Sequence, residues 1–317
     1  DAGELYNDYA DKTKLEGKVF VINLSSPDGI HPHSKYKDYT DYKTRISKAK
    51  EKGAVAVVFY NSDKHTDDPI FDIKRNVQDV ELPVIFVQRP LNDLLKNNTT
   101  ISLSIDMVKD KRVGENVIGF IDNNAEKTVI IGAHFDVCEN QPGADDNASG
   151  IAGLLELARL FEGKNLKYRI DLVAYTLEEP PYFGTKNMGS FRHAQYLNDH
   201  KIPVLGMVSL EMIGYFSDVK GSQKYPIKGL SLIYGKTGNF ITTVRKFGSG
   251  KFARKFNKQM GKNKFIKHKS FSAPKGLRGI DFSDHRNYWA YGYKAVMITN
   301  TSFYRNNNYH KASDTPE

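Results

Sequence analysis

Apolar residues in this chain come in short runs separated by amphipathic stretches, and that spacing sets the expected elements. In the first third, GKVFVINL (17–24), VAVVFY (55–60) and LPVIFVQ (82–88) are compact apolar runs that predict buried strands. TRISKAKEKGA (44–54) predicts a helix with a glycine stop, and PLNDLLKN (90–97) a short helix opened by proline. Further along, ENVIGFID (115–122), KTVIIGAH (127–134), YRIDLVAYTL (168–177), VLGMVSLEMIGY (204–215) and KAVMITN (294–300) predict strands. SGIAGLLELARLF (149–161) and MGSFRHAQYLN (188–198) read as helices, the first with a serine at its start. The strand runs are continuous rather than alternating, which suits a sheet covered by helices on both faces. The expected fold class is therefore α/β: a mixed, mostly parallel sheet flanked by helices, with a smaller α/β unit ahead of it. The expected division is 1–108 and 109–317.

Composition narrows this picture. A chain of 317 residues suggests about two domains, and 39% hydrophobic with 26% charged residues is ordinary for a globular protein. No run of about 18 apolar residues occurs, so no membrane span is expected. One cysteine, Cys138, excludes an intrachain disulfide. The opening DAGELYNDYADK is polar and carries no visible signal peptide. The expectation is a secreted or periplasmic bacterial protein whose signal is not in this chain.

Charge is unevenly spread. The formal net charge is +9, yet sixteen lysines and arginines and no acid lie in 219–280, leaving the rest of the chain at −7. This basic segment interrupts the strand–helix alternation. It is expected to be an insertion over the sheet's rim, with one helix around 239–260 and a solvated surface. A lid that attracts acidic substrates is the functional alternative. No nucleic-acid-binding motif is present, so nucleic acid is not an expected partner.

The chemistry gathers at the strand ends, where open α/β sheets bind ligands. The run 127–134 ends at His134, with Asp136 placed to accept the second ring N–H and fix the tautomer. PGADDNASG (142–150) sets Asp145 and Asp146 before a helix start. The run 168–177 leads directly into Glu178 and Glu179, a pair that repels unless a cation or a proton intervenes. Glu211 lies within an apolar run, where a lone carboxylate is costly unless paired or metal-bound. His310 follows the last strand. Mixed histidine and carboxylate donors favour zinc or a similar first-row ion.

The segments AHFD, PGADDNASG, LEEP, LEMIGY, FSDHRNY and YHKASDT, in this order, resemble the M28 family of zinc peptidases. GKVFVIN, KGAVAVVFYN and LPVIFVQRPL are similar to the protease-associated domain that some members carry. The resemblance implies two zinc ions, one bound by His134 and Glu211 and the other by Glu179 and His310. Asp146 would bridge them and join Asn147 by a cis peptide. Asp136 would orient His134, Glu178 would be the general base, and Tyr309 would be a candidate oxyanion donor. The implied activity is an aminopeptidase acting on peptides through a metal-activated water. Carboxypeptidase or glutaminyl-cyclase-like chemistry, or a catalytically silent binding protein, are the alternatives. Glu211 stands where members often carry aspartate. Met212, Tyr215, Tyr288 and Trp289 are candidate linings of a side-chain pocket, with core packing as the competing explanation. Cys138, four residues beyond His134, reads as a chance neighbour.

Overall fold

A computed structural model describes residues 16–25, 41–62, 82–88 and 113–316, apart from 123, 228, 276 and 278. The chain divides into two compact units, residues 1–111 and 112–317. In the first, strands β1 (Val19–Asn23), β2 (Ala56–Tyr60) and β3 (Val84–Val87) form a parallel sheet in the order β1-β2-β3. Helix α1 (Tyr42–Glu51) starts at Asp41, whose carboxylate accepts the Thr44 N–H at 2.8 Å. Lys48 and Lys50 lie in its last turn, where positive charge suits the helix dipole. Phe20, Ile22, Ile46, Val57 and Phe59 form the core between helix and sheet. The helix expected at 90–97 lies outside the described residues.

The second unit is built on a seven-stranded sheet. Its strands are β4 (Val117–Ile121), β5 (Thr128–His134), β6 (Arg169–Tyr175), β7 (Val204–Glu211), β8 (Phe240–Lys246), β9 (Lys267–Ala273) and β10 (Ala295–Thr299). Their spatial order is β4-β6-β5-β7-β10-β8-β9. The central strands β6, β5, β7 and β10 are mutually parallel. β4 pairs antiparallel with β6, and β8 antiparallel with β10. Successive residues on the central strands point to opposite faces. Ile130, Val173, Met207 and Met297 join one core, together with Ala194 and Leu197 of α3 (Gly189–Asp199) and Tyr288 and Trp289 of α6 (His285–Ala290). Their neighbours Leu172, Val208 and Val296 join the other, under Leu154 of α2 (Ser149–Phe161) and Ala253 of α5 (Gly250–Met260). That two-sided burial is why the strands read as unbroken apolar runs. A short helix, α4 (Leu230–Tyr234), precedes β8.

The basic segment corrects an expectation. It is not an insertion lying over the rim: β8 and β9 are strands of the main sheet, and α5 packs on its face. Nor is 239–260 one helix. FITTVRK, rich in β-branched residues, is β8, and the helix starts only at Gly250, which like Gly248 has positive φ. Lys251, Lys255 and Lys258 are carried on α5, whose Ala253 faces the core, and Lys267 and Lys269 on β9, whose Ala273 does. Among the described residues, no helix is long and apolar enough to cross a membrane.

Candidate metal centre

The chain runs from β5 to β6 on one side, and then crosses to β7 on the other. Strands that depart in opposite directions leave a crevice at their carboxyl ends. His134 is the last residue of β5 and Glu211 the last of β7. β6 ends at Tyr175, and the chain turns through Leu177 (φ 58°) to deliver Glu178 and Glu179. The turn Ala144–Ala148 before α2 supplies Asp146, joined to Asn147 by the cis peptide that the resemblance implied. Gly143 enters this turn at φ 62°, and a β-carbon there would lie 2.6 Å from the Asp146 carbonyl oxygen, so only glycine fits. His310, itself at φ 55°, comes from the loop after β10.

These side chains converge. Asp146 turns Oδ1 to His134 Nε2 at 3.3 Å and Oδ2 to His310 Nε2 at 3.2 Å. Glu211 Oε2 lies 3.5 Å from the same His134 nitrogen, and Glu179 Oε2 3.1 Å from that of His310. Glu178 stands further back, 3.9 Å from His134 Nε2. One carboxylate thus faces two separate imidazole–carboxylate pairs. The Asp136 backbone carbonyl lies 3.1 Å from His134 Nδ1, closer than its carboxylate at 3.7 Å. The carboxylate instead accepts the N–H groups of Glu178 and Glu179, at 3.1 and 3.0 Å. Asp136 therefore fixes both glutamates as well as the histidine.

Residues around the cluster hold it in place, and the sequence reading assigned most of them no role. Asp314 accepts the Asp146 N–H at 3.1 Å and the Asp145 N–H at 3.2 Å. Asp145 turns away from the centre and accepts from Asn300, Asn306, Gly214 and Tyr215. The Asn147 amide donates to the Leu210 carbonyl and accepts the N–H groups of Gly150 and Met212, tying α2 to the end of β7. Asp284, in the FSDHRNY segment, is fully buried, and burial lifts its carboxyl to about 7.

Electrostatics test whether a cation fits. Asp146, Glu178, Glu179 and Glu211 are all 6% exposed or less. Burial pushes the Glu178, Glu179 and Glu211 carboxyls upward, Glu179 to about 7. For Asp146, burial is outweighed by hydrogen bonds from both histidines, which hold it well below the usual carboxylate range. Burial lowers His310, but hydrogen bonds led by Asp146 raise it to about 12. Glu179 Oε1 is buried with no hydrogen-bond partner among the described residues, while the facing oxygens of Asp146, Glu179 and Glu211 share two imidazole nitrogens. Buried donor atoms in want of a partner, amid surplus negative charge, are what a cation satisfies. Among the described residues, three sets have metal-binding spacing: His134, Asp146 and Glu211; Cys138, Glu179 and His310; and His134, Glu178 and Glu179.

The pocket candidates divide. Tyr288 belongs to the core, with its hydroxyl 2.6 Å from those of Tyr175 and from His193 Nδ1, and Trp289 donates to the Ala295 carbonyl. Met212 is fully buried, while Tyr215 is 37% exposed. An apolar pocket of about 80 Å³ lies elsewhere, walled by Tyr234, Phe240, Phe271, Phe282 and Phe303. Phe303 packs on Tyr309 at 5.5 Å, and Tyr309 stacks on His310 at 3.7 Å, so a ladder of rings links pocket and cluster. Burial pushes the Tyr309 hydroxyl well above its ordinary value, which keeps it a proton donor.

Comparison with known proteins shows which family the chain resembles. Residues 116–317 match the model of peptidase family M28, and residues 2–94 that of the PA domain. The uncharacterised protein YfbL of Escherichia coli is 45% identical over 197 residues, 60% of each chain. Aminopeptidase YwaD of Bacillus subtilis is 26% identical over 149 residues, 46% of this chain and 32% of its own. The chain thus spans less than two thirds of the length of these relatives. Among solved structures, the zinc aminopeptidase BSAP from Bacillus subtilis superposes with a TM-score of 0.61 at 18% identity, over 95% of this chain and 64% of that one. With the family match covering most of the chain, this protein belongs to peptidase family M28 and carries a PA domain ahead of its peptidase unit.

Proposed function

We propose that the chain is a zinc aminopeptidase that binds two metal ions and releases N-terminal residues from peptides. The observation that carries this reading is Asp146, whose two carboxylate oxygens face two histidines, each with its own glutamate. His134, Asp146 and Glu211 would hold one ion, and His310, Asp146 and Glu179 the other. When bound, such ions polarise the scissile carbonyl and acidify water at neutral pH.

The protein's own groups would do the rest. Glu178 stands off both histidine pairs, free to take a proton from the attacking water and return it to the leaving amine as the C–N bond breaks. Asp136 holds the Glu178 backbone in position for both transfers. The Tyr309 hydroxyl would donate to the carbonyl oxygen as charge develops there. A cationic substrate N-terminus suits the surplus of buried carboxylates, which favours aminopeptidase over carboxypeptidase action. The apolar pocket beyond Tyr309 fits an apolar side chain on the released residue.

A panel of aminoacyl chromogenic substrates, with N-acetylated and carboxylate-ended controls, tests the reading. Turnover should need a free amine, favour apolar residues and vanish with a chelator. Glu178→Gln should lower kcat by about 10²–10⁴-fold with metal content unchanged. A variant that keeps most of its turnover would remove Glu178 from the reaction.

A further inference from the structure

We infer that Cys138 supplies a thiolate ligand to the metal position flanked by Glu179 and His310, making the two positions chemically unequal. The inference rests on the two-metal reading above. A sulfur atom of Cys138, a carboxylate oxygen of Glu179 and a ring nitrogen of His310 all lie within 4.8 Å of one another. Cys138 is the chain's one cysteine and is 2% exposed.

A buried free cysteine ordinarily acts as a small apolar filler. This one instead stands beside the His310 imidazole and the Glu179 carboxylate, in a cluster of acids. An independent observation marks the same spot. Glu179 is 4% exposed, and its Oε1 has no hydrogen-bond partner among the described residues. A buried carboxylate oxygen with nothing to bind, beside an imidazole and a thiol, is the donor set of a thiophilic cation. The other position, with His134, Asp146 and Glu211, has only nitrogen and oxygen donors.

The chemistry balances without a redox step. The S–H bond breaks, its proton passes to solvent, and the sulfur pair binds the metal. A thiolate favours zinc over magnesium or manganese, so this position should keep zinc where the other exchanges it more freely.

X-ray absorption at the zinc edge, on the whole chain loaded with zinc, reads the ligand directly. The expected spectrum contains a sulfur scatterer at about 2.3 Å beside nitrogen and oxygen at about 2.0 Å. Cys138→Ser should lose the sulfur contribution, and its cobalt form should lose the near-ultraviolet thiolate-to-metal band of the unaltered protein. In the unaltered protein a thiol reagent should react only after chelation. A fully loaded protein with nitrogen and oxygen alone would overturn the thiolate ligand and leave the two-metal reading standing. A folded protein that retains no zinc would overturn both. If Cys138→Ser fails to fold, the spectrum of the unaltered protein decides.

Discussion

Asp145 and Asp146 are adjacent in sequence and have opposite surroundings. Asp146 faces two imidazoles, while Asp145 binds backbone N–H groups and two asparagine amides. Asp314 separates their roles, because it holds both N–H groups and so sets the direction in which each side chain leaves the turn. Asp314→Ala should therefore weaken zinc binding by about 10–100-fold without removing a ligand. Competition against a chelator measures this, and an unchanged affinity would make Asp314 a purely local cap. The histidines and acids of the cluster were legible in the sequence because their residue types are costly at apolar strand ends. Asp314 was not, because its bond to Asp145 spans 169 positions and no local pattern reports it. Cys138 reads as a chance neighbour for a similar reason: the His310 beside it comes from the far end of the chain.

At the scale of elements, the central strands were legible because burial on both faces forces unbroken apolar runs. The outer strands β8 and β9 were not, since their segment reads first as a run of lysines. The β-branched residues of FITTVRK and the glycines at 248 and 250 carried the strand and its break. The same close packing makes a specific demand in β5. A β-carbon on Gly132 would lie 2.2 Å from the Tyr175 ring, which is fully buried and held by Tyr288. Gly132→Ala should destabilise the peptidase unit by about 1–3 kcal/mol. Denaturant unfolding measures it, and a neutral result would mean that Tyr175 can swing aside.

For the molecule as a whole, buried titratable groups set how stability follows pH. Burial lowers His193 to about 4, against about 6.5 for an unperturbed imidazole. Between those values the unfolded chain binds a proton that the folded chain refuses. His193 therefore contributes its full stability above about pH 6.5 and loses it as pH falls towards 4. Glu179 and Asp284, both raised to about 7, act in the opposite sense. The test is thus a difference. His193→Gln should gain stability relative to the unaltered protein as pH drops from 6.5 to 4, on the order of 3 kcal/mol. Parallel pH profiles of the two proteins would contradict it.

The most direct test of the account is zinc titration into metal-free protein, followed by calorimetry. The account requires two equivalents per chain, and Asp146→Ala should impair both binding events because one carboxylate faces both histidines. A single equivalent, or a second one indifferent to Asp146, would contradict a shared two-metal centre.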